Sequence, residues 1–140
     1  VSDVANAAYP LSLEAFLKAD IPGGLDSADI KVALIDTAAY TYSATHQYLS
    51  DVAGASIIAT TGNLSSKSTT GGVLDAADIS IAGVAGATVE AVIVYYDSGA
   101  AATSLLLGYA ELAAAYTPTG ADVQVVFHAS GILSIAATPA

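Results

Sequence analysis

The stretch "VEAVIVYYDSGAAATSLLLGYAEL", residues 89–112, is the most apolar part of the chain and constrains it most. A helical membrane span needs about 20 consecutive apolar residues. Here Asp97, Ser98 and Gly99 interrupt the run, Glu90 and Glu111 close its ends, and no other window comes nearer to a span. The stretch reads instead as a β-hairpin. In its first arm Val89, Ala91, Ile93 and Tyr95 share one face, while Glu90, Val92, Val94 and Tyr96 share the other. Both faces are mostly apolar, which places this strand at the centre of a sheet covered on both sides. "DSGAAAT" supplies the turn, with a Gly where positive φ is easiest. Folded symmetrically about Ala100, the hairpin would set Glu111 opposite Val89 and Glu90 opposite Ala110, splitting the two carboxylates between the faces.

The rest of the chain supplies neighbours for that hairpin. "PLSLEAFLKADIPGG" predicts a short helix capped by Ser12, with Leu13, Phe16 and Leu17 on one face, a Glu14–Lys18 pair, and Pro22 and Gly23-Gly24 as the stop. "DIKVALID" (29–36) alternates as a strand should, and "SATHQYLSDVAG" (43–54) returns to helical period through Ala44, Tyr48, Leu49 and Val52, with Gly54 as cap. Further strands are expected at 55–61, 78–83, 88–96, 103–112, 122–129 and 132–136, each bounded by turn formers. The fold expected is mainly β: an antiparallel β-sandwich or jelly-roll-like barrel with two short helices in its N-terminal half. One domain covers 1–140, and residues 1–12 are expected to form an extended N-terminal arm. The longest aperiodic segment, "TGNLSSKSTTGGVLDAA" (61–77), is either a solvated β-connection or an arm that packs on a neighbouring subunit.

Charge narrows the function. The chain is 54% hydrophobic but only 11% charged, against a usual charged share of about 25%. Its exterior must be built largely from Ala, Ser, Thr, Gly and Tyr, a surface that invites association. Thirteen acidic residues face three lysines and no arginine, for a net charge of -10, and Lys18, Lys31 and Lys67 are scattered singly. Gripping nucleic-acid phosphates needs clustered cations, so nucleic acid is excluded as a partner. No cysteine is present, so there is no disulfide framework. Val1 is expected to follow removal of an initiator Met, since "VSDVANAAYP" lacks the charged start and apolar run of a signal peptide.

Catalytic patterns are weak throughout. There is no G-x-S-x-G motif; Ser43, His46 and Asp51 carry the letters of a triad but are expected along one helix, with Ser43 and His46 three apart and Asp51 on another face, and "HASG" (128–131) offers no better set. Two histidines, His46 and His128, without metal-ligand spacing give no zinc signature. Asp26/Asp29 and Asp75/Asp78 read as turn and strand-start residues rather than a calcium loop. Glu90 and Glu111, tested as a glycosidase pair, fail on the pleat argument above. The expectation is a protein with no catalytic residues, no cofactor and no metal. Tyrosine is the one functional side chain in quantity, and its apolar body with a polar tip suits interfaces. Most tyrosines should be core or half-buried. The subunit-contact candidates are Tyr9 on the arm, Tyr40, Tyr42, the two-faced pair Tyr95-Tyr96, and Leu64 and Lys67 in the long aperiodic segment.

The order of segments, marked by "IKVALIDTAAYT", "HQYLSDV", "VLDAADI" and "VYYDSG" from about Leu13 onward, resembles a family of small structural proteins of tailed bacteriophages. The resemblance implies a virion component on the capsid surface: a decoration or cement protein present in many copies, with the major capsid protein or other virion subunits as partners and no membrane. It assigns no binding residue. Two other readings stand beside it, an adhesion module on a tail or fibre binding glycans through exposed Tyr and Asp, and a filament-forming subunit whose head-to-tail interface does not close.

Overall fold

A computed structural model describes residues 6–134. Its framework is a five-stranded antiparallel sheet in the order β1-β7-β6-β2-β3, built from β1 (Asn6–Ala8), β2 (Ile30–Ile35), β3 (Ile57–Thr60), β6 (Val89–Tyr96) and β7 (Leu106–Tyr116). Two small antiparallel ladders accompany it. One pairs β4 (Val73–Leu74) with β9 (Leu133–Ser134), the other β5 (Ile79–Ile81) with β8 (Val123–Val125). One α-helix, α1 (Pro10–Lys18), follows β1. The architecture is mainly β and antiparallel, as the alternation of apolar residues requires.

The hairpin lies where its two apolar faces demand. β6 is the middle strand of the five, and Ala33, Ile35, Ala91, Ile93, Tyr95 and Leu106 bury one side of the sheet beneath residues of the 36–56 segment, including Tyr40 and Val52. Ile30, Val32, Val94 and Leu107 bury the other beneath α1, residues 64–76 and the β8–β9 region, and Leu34 and Val89 extend that side toward Val84. Among the described residues no helix is long and apolar enough to cross a membrane.

The hairpin register differs from the symmetric expectation. Glu111 lies opposite Ala91 and Ala110 opposite Val92, with irregularities between Val94 and Tyr95 and between Val89 and Ala91, so that Val89 faces Tyr116. The turn is the cause. Ser104 is fully buried; its hydroxyl donates to Ala100 O at 2.8 Å and accepts from Ser98 N at 3.1 Å, while Asp97 Oδ1 accepts from Gly99 N at 2.9 Å. This side-chain-built loop displaces the start of β7, and a bulge accommodates the shift. β7 then runs on to Tyr116, beyond the expected end at 112.

The second expected helix is absent. Residues 43–54 follow an irregular path with only short 3₁₀ turns at Leu49–Asp51 and Gly54–Ser56. Their backbone groups are engaged by the hairpin: Leu49 N donates to Ser104 O at 2.8 Å, Ser50 N to Ala101 O at 3.0 Å, and Leu106 N to Gln47 O at 2.9 Å. Tertiary pairing overrides the helical period here.

The N-terminal expectation also changes. Residues 1–5 lie outside the described residues, but from Asn6 the segment is part of the fold: β1 pairs with β7 from Asn6↔Ala110 to Ala8↔Gly108, Tyr9 is wholly buried, and Pro10 already opens α1. Ser12 does not cap the helix. Tyr9 holds the cap position without a side-chain bond, Pro10 supplies a pre-set first φ, and the buried Ser12 hydroxyl donates to Tyr9 O at 2.7 Å. The face also turns. α1 packs inward through Ser12 and Ala15, leaving Leu13 43% and Leu17 90% exposed.

This packing makes a direct contrast in stability. Ile93→Ala should destabilise the protein by roughly 2–5 kcal/mol, the range for truncating a buried branched aliphatic. Leu17→Ala should stay within about 0.5 kcal/mol of the parent. Equilibrium urea unfolding of the two variants measures both; equal losses would contradict the assignment of inside and outside.

Candidate interaction surfaces

Aromatic residues form a clasp over the Tyr40 side of the sheet. Tyr42 stacks 5.1 Å from Tyr9 and 5.5 Å from Tyr109, and Tyr40 lies 6.3 Å from Tyr109 and 5.5 Å from His46. Hydroxyls tie the rings together: Tyr9 and Tyr40 meet at 2.9 Å, Tyr40 reaches His46 Nδ1 at 2.9 Å, and Tyr42 donates to Ala8 O at 2.7 Å. Each of these polar groups thus finds a partner inside the clasp. Burial, then the bond to Tyr40, raises the Tyr9 pKa far above its ordinary value, and burial raises that of Tyr40. These phenols stay neutral and act as bracing for the 36–48 crossing.

The contact candidates divide accordingly. Tyr9, Tyr40, Tyr95 and Leu64 are buried within the chain itself. Tyr42, Tyr96 and Lys67 are half-buried. Tyr96 packs on the opposite side of the sheet from Tyr95, as neighbouring strand positions must. Lys67 donates to Asn63 Oδ1 at 3.0 Å and Leu64 O at 2.7 Å. The 61–77 segment folds onto its own sheet. Thr61 Oγ1 and Asn63 Oδ1 accept from Val32 N and Ile30 N on β2 at 2.9 and 3.0 Å, and Ser68 and Asp75 exchange backbone bonds at 2.9 Å.

The residues with catalytic letters are engaged in other bonds. Ser43 meets Thr45 Oγ1 at 2.8 Å, His46 meets Tyr40, and Asp51 Oδ2 accepts from Gln47 N and Tyr48 N at 2.8 and 2.9 Å. Thr37 N and its hydroxyl donate to Glu90 at 2.9 and 3.2 Å, and Tyr109 OH donates to Glu111 at 3.4 Å. Asp78 accepts from Phe127 N at 2.9 Å and Asp75 from Ala76 N at 2.9 Å, both turn and strand-start roles. Among the described residues no group of three His, Asp or Glu side chains converges as a metal site would require.

Two surfaces remain open. A trough of about 950 Å³ lies between the second side of the sheet and the β8–β9 region, floored by Val32, Val92 and Val94 and walled by Val125, Phe127 and Leu133. Its rim groups Asp122 and His128 accept from Gly83 N and Ser130 N at 3.0 Å each. The other surface is the outward side of α1, beside a hollow of about 390 Å³ lined by Phe16, Ile21, Pro22 and Leu25 among others. Periodicity found the leucines of α1 but turned them inward; their exposure has no signal in the sequence.

All three lysines are engaged within the chain. Lys18 pairs with Glu14, Lys31 with Asp97, and Lys67 with Asn63 and Leu64 O. No protein-family model matches this chain, and no curated protein matches it.

The carboxylates that hold turns fix an acid dependence. The Lys31 ammonium, then Gly99 N–H, lowers the Asp97 pKa, and the N–H groups of Tyr48 and Gln47 lower that of Asp51. A depressed folded-state pKa stabilises the fold above the unfolded value of about 3.9, and that contribution is lost as pH falls through the folded value. Asp97→Asn should therefore lose less stability than the parent when urea midpoints are compared between about pH 6 and pH 2.5. Parallel losses in both proteins would contradict this role for Asp97.

Proposed function

We propose that this chain is a non-enzymatic virion structural protein, a decoration or cement subunit that coats a capsid and stabilises it through many weak contacts. The observation that carries this reading is the division between interior and exterior. Aromatic bulk lies in the sheet's own core, the lysines are tied to the chain itself, and the exterior combines carboxylates and small uncharged residues with exposed Leu13, Leu17, Leu112 and Val126. Leu17 is 90% and Val126 66% exposed, apolar surface that attachment to a partner would bury. The segment order described above supplies the virion context. A glycan-binding module would need exposed aromatic rings beside free carboxylates. Here the clasp rings Tyr9, Tyr40 and Tyr109 are buried, and the carboxylate on the trough rim, Asp122, is engaged by Gly83 N.

Multivalent attachment turns a modest affinity per copy into firm coating, because each bound contact raises the effective concentration of the next. Imaging particles that carry this chain should find it in many symmetry-related copies on the capsid exterior. Particles lacking it should lose their genome at lower temperature than complete ones in a heat-release assay. Copies confined to a tail tip or polymerised into a filament would contradict the proposal.

A further inference from the structure

We infer that the outward face of α1 is the surface by which this chain seats on its partner, and that the partner presents an apolar socket ringed by Lys or Arg. The inference rests on the capsid-coating reading and names the contact that reading needs. Leu13 and Leu17 are four residues apart, so they project from one side of the helix. That side is turned away from Ser12 and Ala15, which pack inward. Leu17 is 90% exposed. The helix ends at Ala19, in the left-handed region at φ 59°, and the chain then doubles back so that Asp20 N and Ala19 N bond Ala15 O and Phe16 O at 2.9 and 3.1 Å. This reversal builds the hollow lined by Phe16, Ile21, Pro22 and Leu25 next to the leucines. A projecting aliphatic beside a shallow apolar hollow suits a docking contact with a knob and a socket on each side.

Charge selects the occupant. Glu14, Asp20 and Asp26 are exposed on α1 and the loop that follows it, and the nearby cation, Lys18, is paired with Glu14. A second copy of this chain would bring the same carboxylates face to face, on a molecule of net charge -10 whose other lysines are also engaged. Like charges across an interface oppose association. A surface carrying Lys or Arg around an apolar depression meets both the leucines and the carboxylates, and the attraction would weaken as salt screens it.

The test uses capsids from particles that normally carry this chain, prepared without it, and adds back purified full-length protein. The parent chain should bind, and a Leu13→Ser/Leu17→Ser double variant with an unchanged thermal melt should bind at least about tenfold more weakly, the loss expected of a central contact. Asp20→Asn/Asp26→Asn should bind more slowly and with a shallower salt dependence. Leu112→Ser and Val126→Ser, on other surfaces, should bind like the parent. If the parent binds and the leucine variant binds equally well, the α1 assignment is overturned while the coating role stands. Concentration-dependent dimers of the free chain that the leucine variant abolishes would assign the face to a second copy and overturn the basic-partner inference. If the parent itself does not bind, the coating role falls and the inference with it.

Discussion

Burial of β6 on both of its faces is the constraint from which the rest of the structure follows. An eight-residue strand with Val89, Ala91, Ile93, Val94 and Tyr95 all buried cannot lie at an edge or over solvent. It needs a strand on each side for its backbone and a layer over each face for its side chains. β2 and β7 supply the first. The 36–56 segment covers one face, and α1 with the two short ladders covers the other. With most large apolar groups of the sheet used in this way, few remain for the exterior, and those that do, Leu112 of β7 among them, stand out.

The parts legible in the sequence were those governed by local period. β2 and the centre of the hairpin alternate over enough residues to declare both their strand character and their burial, and α1 is declared by its period, although it ends at Lys18 on a left-handed Ala19, ahead of Pro22 and the glycine pair. What escaped was set by contacts between distant segments. The register depends on Ser104 and Asp97 closing a turn through side chains, which no alternation encodes. Residues 43–54 have helical period, yet their backbone groups pair with the hairpin instead. The 61–77 segment is aperiodic because Thr61 and Asn63 replace backbone acceptors along β2 with their own side chains. β4 is too short to announce itself.

The same division explains why tyrosine was a good guide to importance and a poor guide to location. Tyr9, Tyr40, Tyr42 and Tyr109 come from the junction of β1 and α1, the crossing segment and β7, so their convergence exists only in the folded chain. Their hydroxyls meet one another, His46 and a backbone carbonyl, which lets rings of interface type brace an interior. On α1 the reverse holds. Of the three residues expected on its inner face, Phe16 packs on the core while Leu13 and Leu17 are displayed, because the fully buried contacts are made by Ser12 and Ala15. A scaffold that braces itself with tyrosine and displays leucine on a short helix separates rigidity from recognition.

Native-state hydrogen exchange followed residue by residue tests the central claim most directly, since amides whose exchange requires global unfolding identify the true core. The account predicts that Ile93, Val94 and Tyr95 of β6 exchange slowest, at the global unfolding free energy, while α1 amides open at a lower one. Amides of α1 as protected as those of β6, with β6 opening locally, would show that the doubly covered strand is not what holds this fold together.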